Sequence, residues 1–374
     1  MKIKIMKILT VSSTEITDIG GVNYSIKRVA EELVKRGHEC QVLNINPGNL
    51  PHEENINGIN VIRIKSPISK HLYQFSPEMA QFLQRNLGGS LKPDIIHLHE
   101  YRRLLTPAVA YIVRNKHLPF IFSAHYSRQE YNTLAGKYLL DYYKPIGKKL
   151  FDWAEMIVIH SDYTKMVLMQ DFNVQSNKIK IITPGVDYLM AQDRGVLKGK
   201  ASSISLLYAG VLMEKKGVHH IILALKELKR RGREACLTIV GKGDYEPKLR
   251  RLACKLGIEG DVFWHKPLPR HELHRKLMEA DIVLLLSRAE AYGVMVTEAL
   301  AAGTPCIVTK TTSLNEFLTE PGCFGIDYPP VPGELANLIV KIRDSETIVG
   351  PFSTRIRTWD RVADDYERIY EQVI

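Results

Sequence analysis

No run of about eighteen uncharged apolar residues occurs in the 374-residue chain, so a helix that crosses a bilayer is not expected. The apolar opening segment carries Lys2, Lys4 and Lys7 inside it and does not read as a secretory signal, which leaves a cytoplasmic protein as the expectation. Cysteine is sparse. The five residues Cys40, Cys236, Cys254, Cys306 and Cys323 are scattered and form no CxxC pair, so they read as buried packing thiols in a reducing compartment rather than as a disulfide framework or a zinc knuckle. A nicotinamide fingerprint is also missing. Gly241-Lys242-Gly243-Asp244-Tyr245-Glu246 lacks the third glycine of G-x-G-x-x-G, and Gly20-Gly21 lacks the first spacing, which argues against an oxidoreductase. With no arginine-rich tail, no aromatic-glycine RNA motif and no helix-turn-helix or zinc-finger signature, nucleic acid is not an expected partner.

What is present is a chain that is 45% hydrophobic, long enough for two ordinary cores, because single cores tend to stop growing near ~250 residues. A formal charge of +10 and an isoelectric point near 9.2 favour anionic partners. Those left open are an acidic small substrate and an anionic membrane face.

Short apolar runs alternate with helix-length amphipathic segments. Ile3–Ser13 is followed by Gly20-Gly21 and a helical stretch from Tyr24 to Arg36; further runs lie at Gln41–Asn46, Asn60–Ile64, Ile95–His99, Phe120–Ala124, Met156–His160 and Lys180–Thr183. Strands separated by helices predict a parallel sheet covered on both faces. A second series begins at Ile204–Ala209 and continues at Ala235–Val240, Asp261–Trp264, Ile282–Ser287 and Pro305–Thr309. Between the two series, residues 184–203 lack apolar periodicity and read as a linker. The domain expectation is therefore a first doubly wound domain over 1–185, a second over 186–352, and a helix over 353–374. Trp359, Val362, Tyr366, Ile369 and Tyr370 give that helix one apolar stripe.

The densest chemical signal follows the strand ADIVLLLS. Gly293 falls at the turn into a helix from Val294 to Ala302, where a missing Cβ lets a ligand approach and the first amides of the helix can hold a phosphate. Glu290 lies in the loop, and Glu298 lies one helical turn after Val294. Taken without the rest of the pattern, Glu298 reads as a solvated helix face; as one of a pair beside a phosphate site, both carboxylates suit the neutral hydroxyls of a sugar.

Glu290-Ala-Tyr-Gly-Val-Met-Val-Thr-Glu298 with the downstream Gly303-Thr304-Pro305 resembles the E-x7-E signature of retaining glycosyltransferase family 4, the glycosyl transferases group 1. That resemblance implies the GT-B fold, an α/β architecture of two doubly wound Rossmann-like domains facing each other across a cleft. It also implies Glu290 beside the transferred sugar, Glu298 on ribose hydroxyls of the nucleotide, and the backbone of Tyr292, Gly293 and Val294 near the donor. Gly20 and Gly21 resemble the family's loop over the donor phosphates, Pro184-Gly185-Val186-Asp187 its interdomain turn, and Gly241 its loop near the base. His125 matches a histidine beside the donor sugar, whereas a lone histidine after a strand is otherwise structural.

In Gly210-Val211-Leu212-Met213-Glu214-Lys215-Lys216-Gly217 the lysine of the family motif is kept at Lys216, Lys215 is its neighbour, and the family's arginine is replaced by Val211. A second departure is Thr311-Thr312-Ser313, where many relatives carry a Gly-Gly pair. No Asp-x-Asp triplet occurs, so the acidic metal clamp of the other major glycosyltransferase fold is missing, and neither a metal nor a cofactor is expected besides the nucleotide diphosphate sugar as donor substrate. The implied function is retaining transfer of a hexose from that donor to a sugar, lipid-linked or small-molecule acceptor, with domain closure about the linker as the gate. A catalytically weak or silent sugar-nucleotide or glycan binder is the alternative that the loss of the arginine leaves open. Basic residues near apolar ones, Arg102 and Arg103 with Leu104 and Leu105, and Lys144, Lys148 and Lys149 around Ile146, Leu150 and Phe151, suggest peripheral contact with the anionic inner face of a membrane, or else a solvated charged face.

Overall fold

The computed structural model describes residues 4–18, 20–46, 48, 50–66, 76–101, 103–126, 134–187, 203–345, 347 and 349–374. The chain divides into two compact units, one formed by Met1–Gly185 with Trp359–Ile374 and the other by Val186–Thr358. Most of the stretch expected as a linker lies outside the described residues.

In chain order the first unit carries β1 (Lys7–Val11), α1 (Gly21–Lys35), β2 (Glu39–Ile45), β3 (Glu53–Ile56), β4 (Ile59–Ile64), α2 (Pro77–Asn86), β5 (Ile95–His99), α3 (Leu105–Asn115), β6 (Phe120–Ser123), α4 (Leu134–Trp153), β7 (Met156–Ile159), α5 (Asp162–Phe172) and β8 (Ile179–Ile181). The sheet order is β3-β4-β2-β1-β5-β6-β7-β8. Every pairing is parallel except that of the short β3, which turns back antiparallel on β4. Alternation within a strand explains why both faces must be covered: Leu9 and Val11 pack with Leu43, Ile96 and Phe122 on one side, while Ile8 packs with Ile26, Leu33 and Tyr366 on the other.

That second face is closed by α1 and by the carboxyl-terminal helix, Trp359–Val373. Its stripe of Trp359, Val362, Tyr366, Ile369 and Tyr370 is buried, Trp359 meets Tyr24 edge to face at 5.8 Å, and Glu367 accepts from Arg36 at 2.8 Å and bonds His38 at 2.8 Å. The helix starts at Trp359 rather than Ser353. Residues 353–358 belong to the second unit, where the Ser353 amide bonds Glu320 (3.0 Å), the Arg357 carbonyl accepts from the Val186 amide (2.8 Å) and Ile356 is part of the core.

Of the apolar residues beside the basic ones considered for a membrane face, Leu105, Leu150 and Phe151 are buried, Ile146 is half-buried and Leu104 is exposed; Arg102 lies outside the described residues. Cys40, Cys306 and Cys323 are buried as expected, but Cys236 is half-buried and Cys254 exposed.

The second unit carries β9 (Ile204–Ala209), α6 (Val218–Arg230), β10 (Ala235–Val240), α7 (Glu246–Lys255), β11 (Val262–His265), α8 (Arg270–Glu279), β12 (Ile282–Leu285), α9 (Val294–Ala301), β13 (Cys306–Thr309), β14 (Cys323–Ile326) and α10 (Pro332–Asp344). Its sheet is wholly parallel in the order β11-β10-β9-β12-β13-β14. Leu206, Leu237, Val283 and Ile307 lie at its centre with no exposed surface to speak of. The α/β class and the two parallel-sheet units are thus as the sequence implied.

Candidate active site

In the second sheet β9 is flanked by β10 and β12, so the chain winds outward in both directions from it. In such a sheet the loops after the two strands at the switch point diverge and leave a crevice at their carboxyl ends. The loops concerned are Gly210–Gly217 and Leu286–Gly293. Their approach depends on Gly217, which has φ 71°, and on which a Cβ would stand 2.0 Å from the Leu286 carbonyl oxygen. The two loops are further joined by the Arg288 amide, which donates to the Lys215 carbonyl at 2.8 Å. A third loop, after β10, crosses as closely: a Cβ on Gly241 would lie 1.9 Å from the Gly210 carbonyl oxygen. Gly217→Ala is expected to combine left-handed strain with this clash, to destabilise the protein by at least ~2 kcal/mol, and to lower the Tm by several degrees in a thermal melt.

The lysine turn delivers Lys216 Nζ to Glu290 Oε1 at 2.5 Å. Ser287 Oγ donates to the same carboxylate oxygen at 2.8 Å. The Glu290 loop is held from behind by Thr311–Ser313: the Glu290 amide donates to Thr312 Oγ1 (3.0 Å), and the Ser313 hydroxyl serves the carbonyls of Glu290 (3.0 Å) and Tyr292 (2.8 Å). Hydroxyl side chains there do locally what the sequence, lacking a glycine pair, could not do by backbone freedom. Beneath the pair, burial, with the Glu290 charge adding to it, pushes the Tyr208 phenol upward, and its hydroxyl donates to the Val211 carbonyl at 2.9 Å. Val211 itself is 54% exposed and supplies no charge.

Gly293 opens α9 with φ 131°, and a Cβ on it would press to 2.9 Å from Leu314 Cδ2. The helix has no side-chain cap, so the Val294 and Met295 amides have no partner among the described residues. A cation and two free amides at one sheet end can hold an anion such as a diphosphate. The Tyr292 ring takes no part: it is buried against Phe317, and its hydroxyl donates to the Arg355 carbonyl at 3.1 Å.

Glu298, one turn into α9, is 8% exposed. It does not share the cation of Glu290 but is gripped by the guanidinium of Arg270, the first residue of α8: Nη1 donates to Oε2 at 3.1 Å and Nη2 to Oε1. Burial pushes the Glu298 carboxyl up, the Arg270 charge works against that, and the nearby Asp187 charge adds to it. Arg270 was not foreseen, because a helix-opening arginine 28 residues before its partner leaves no pattern in sequence.

Gly20, Gly21 and His125 belong to the first unit. There the switch point is β1, flanked by β2 and β5. Gly20 precedes α1 in extended conformation and is exposed, and a Cβ on it would come no nearer than 3.6 Å to Asn23 Nδ2; the protein's own packing does not require glycine there. Gly21 begins the helix, and its carbonyl accepts from the Ser25 hydroxyl at 2.8 Å. His125 is no lone side chain. The Ile182 carbonyl can only accept, so His160 donates to it from Nδ1 (2.7 Å) and offers Nε2 to the Nδ1–H of His125 (3.1 Å); His125 Nε2 then accepts from the Nδ1–H of His99 (3.0 Å). The His97 ring lies 4.0 Å from that of His99, tilted by 34°, and bonds the hydroxyls of Tyr370 (2.9 Å) and Ser123 (2.7 Å). Burial lowers all four imidazoles, His97 to about 3, so each is neutral at pH 7. The ring nitrogens of His125, expected beside the sugar, are both engaged within this chain.

With the geometry in place, comparison with known proteins is informative. Residues 19–188 match the family described as Glycosyltransferase Family 4, and residues 192–346 match Glycosyl transferases group 1. An uncharacterized glycosyltransferase of Methanocaldococcus jannaschii is 26% identical over 375 residues, which cover 94% of each chain. Among solved structures, sucrose-phosphate synthase from Thermosynechococcus elongatus has a TM-score of 0.76 at 16% identity, over 98% of each chain. HepE of Anabaena, in complex with UDP and glucose, has a TM-score of 0.69 at 20% identity, over 99% of this chain and 95% of its own. At these identities the structural likeness is one of fold.

Proposed function

We propose that this chain, which belongs to the group 1 glycosyl transferases and has a family 4 amino-terminal half, moves a hexose from a nucleotide diphosphate sugar to a sugar, lipid-linked or small-molecule acceptor, retaining anomeric configuration and using no metal ion. The observation that carries the reading is the Lys216–Glu290 pair at the switch point of the second sheet, four residues from the open amides of α9. The bond from the anomeric carbon to the diphosphate oxygen breaks while the bond from acceptor oxygen to that carbon forms. Negative charge grows on the diphosphate, and Lys216 with the Val294 and Met295 amides is placed to stabilise it without reorganising. Glu290, with its carboxylate oriented by Lys216 and Ser287, accepts from sugar hydroxyls, and Glu298 from the nucleotide ribose. The acceptor proton leaves on a phosphate oxygen of the donor. HepE, of the same fold, is complexed with UDP and glucose, which favours a nucleotide sugar as the ligand class.

A thermal-shift screen of nucleoside diphosphates and their sugar conjugates tests this. A selective ligand at a hundred times its Kd is expected to add about 2.7 kcal/mol of stability, and turnover of the matching donor is expected to survive excess EDTA. Loss of turnover on chelation would remove the metal-free part of the mechanism. A chain stabilised by a donor from which it never releases nucleoside diphosphate would be the silent binder instead.

A further inference from the structure

Glu298 faces a difficulty that Glu290 does not. It is almost fully buried, with the Asp187 charge near it, and a carboxylate in that position needs a counter-charge to remain an anion. Arg270 supplies one, and in a particular geometry. Its planar fork meets the carboxylate edge with one nitrogen on each oxygen, which fixes the plane of the group as well as its charge. An ionised carboxylate has about four lone-pair sites; two are taken by the guanidinium, and the other two are left pointing away from it. Two hydroxyl donors on adjacent carbons match that remainder.

We propose that Arg270 is a positioning residue for the donor half of the reaction, holding Glu298 as an oriented anion whose free lone pairs accept from the two ribose hydroxyls of the bound nucleotide. The inference rests on the reading that Glu298 meets the ribose. Arg270 does not itself touch the reacting atoms, and its side chain is 37% exposed.

The test is calorimetric titration of the full chain with UDP, ADP and GDP, each beside its 2′,3′-dideoxy counterpart. For the nucleotide it binds, the wild type is expected to prefer the ribo form by about tenfold or more, as sites built around a hydroxyl do. Arg270→Gln should lose about tenfold on the ribo form and almost nothing on the dideoxy form, and Arg270→Lys, which keeps the charge but not the fork, should fall between. Glu298→Gln should collapse the same preference, and adding Arg270→Gln to it should cost nothing more. Because both forms are compared within one variant, a general loss of fold cancels. Equal losses on both forms, or a full ribo preference in Arg270→Gln, would overturn the role of Arg270 alone. A wild type that binds none of the three diphosphates would overturn the donor reading, and this inference with it.

Discussion

Lys216→Ala is expected to lower kcat by about two to three orders of magnitude, the range found when one preorganised donor to a developing anion is removed, with a much smaller change in donor KM. Lys216 lies on a turn that has little freedom: Gly217 brings it against the Leu286 carbonyl, and the Arg288 amide ties it through the Lys215 carbonyl. Its ammonium is therefore in place before the diphosphate charge develops, and the gain falls on the transition state. A second role has to be separated from this one, since Lys216 also neutralises Glu290 at 2.5 Å. If neutralisation were its whole purpose, Lys216→Ala combined with Glu290→Gln would recover most of the loss. If Lys216 acts on the leaving group, the double variant should be no faster than the slower single one, because residues that act as a unit are not additive. Steady-state rates of nucleoside diphosphate release decide the matter, and a Lys216→Ala enzyme within twofold of wild type would remove Lys216 from the mechanism.

The lysine turn and the two glutamates were legible because each is local in sequence. Lys216-Gly217 and Glu290 to Glu298 each fall within one loop or one strand-to-helix turn, and the apolar runs of β5, β9 and β10 coincide with their strands to the residue. What escaped was set by the order of strands rather than by spacing. Arg270 and Glu298 meet only because α8 and α9 pack side by side. The histidine chain exists because β5, β6 and β7 are neighbours and parallel, so that His99, His125 and His160, each near a strand's carboxyl end, fall in one row. Seen along the sequence they are three isolated residues. The strands β3 and β14 were missed because both are sheet edges: β3 is mostly exposed and β14 only half-buried at its two middle residues, so neither stands out as a continuous buried apolar run. The Tyr292 ring faces the core because Phe317 and the Arg355 carbonyl offer it a dry, satisfied position, which a neighbouring glycine in a motif does not disclose.

The same histidine row gives the second large effect, a steep loss of stability in mild acid. An unfolded histidine titrates near ~6.5, whereas burial, reinforced by the neighbouring imidazoles, holds His97, His99 and His125 far lower, and burial also lowers His160. Below that pH the unfolded chain takes up protons that the folded one refuses, so each group makes stability fall as pH falls. For His97 the window runs from ~6.5 down to about 3, with a slope near ~1.4 kcal/mol per pH unit for a single group. The bonds explain the refusal. The Ile182 carbonyl fixes the direction of the chain; a second proton on His160 would face the Nδ1–H of His125 across 3.1 Å, and one on His125 would face the Nδ1–H of His99 across 3.0 Å. Glu298, whose carboxyl is raised by burial, works in the opposite sense near the carboxylate range, while His219 and His220, also lowered by burial, act in the same sense as the row. Tm is therefore expected to be level above pH 7 and to drop steeply below pH 6, and His97→Gln should flatten that slope by roughly the share of one group, whatever it does to the plateau. A Tm unchanged between pH 8 and pH 5, or an undiminished slope in His97→Gln, would show that the imidazoles take up protons without disturbing the fold.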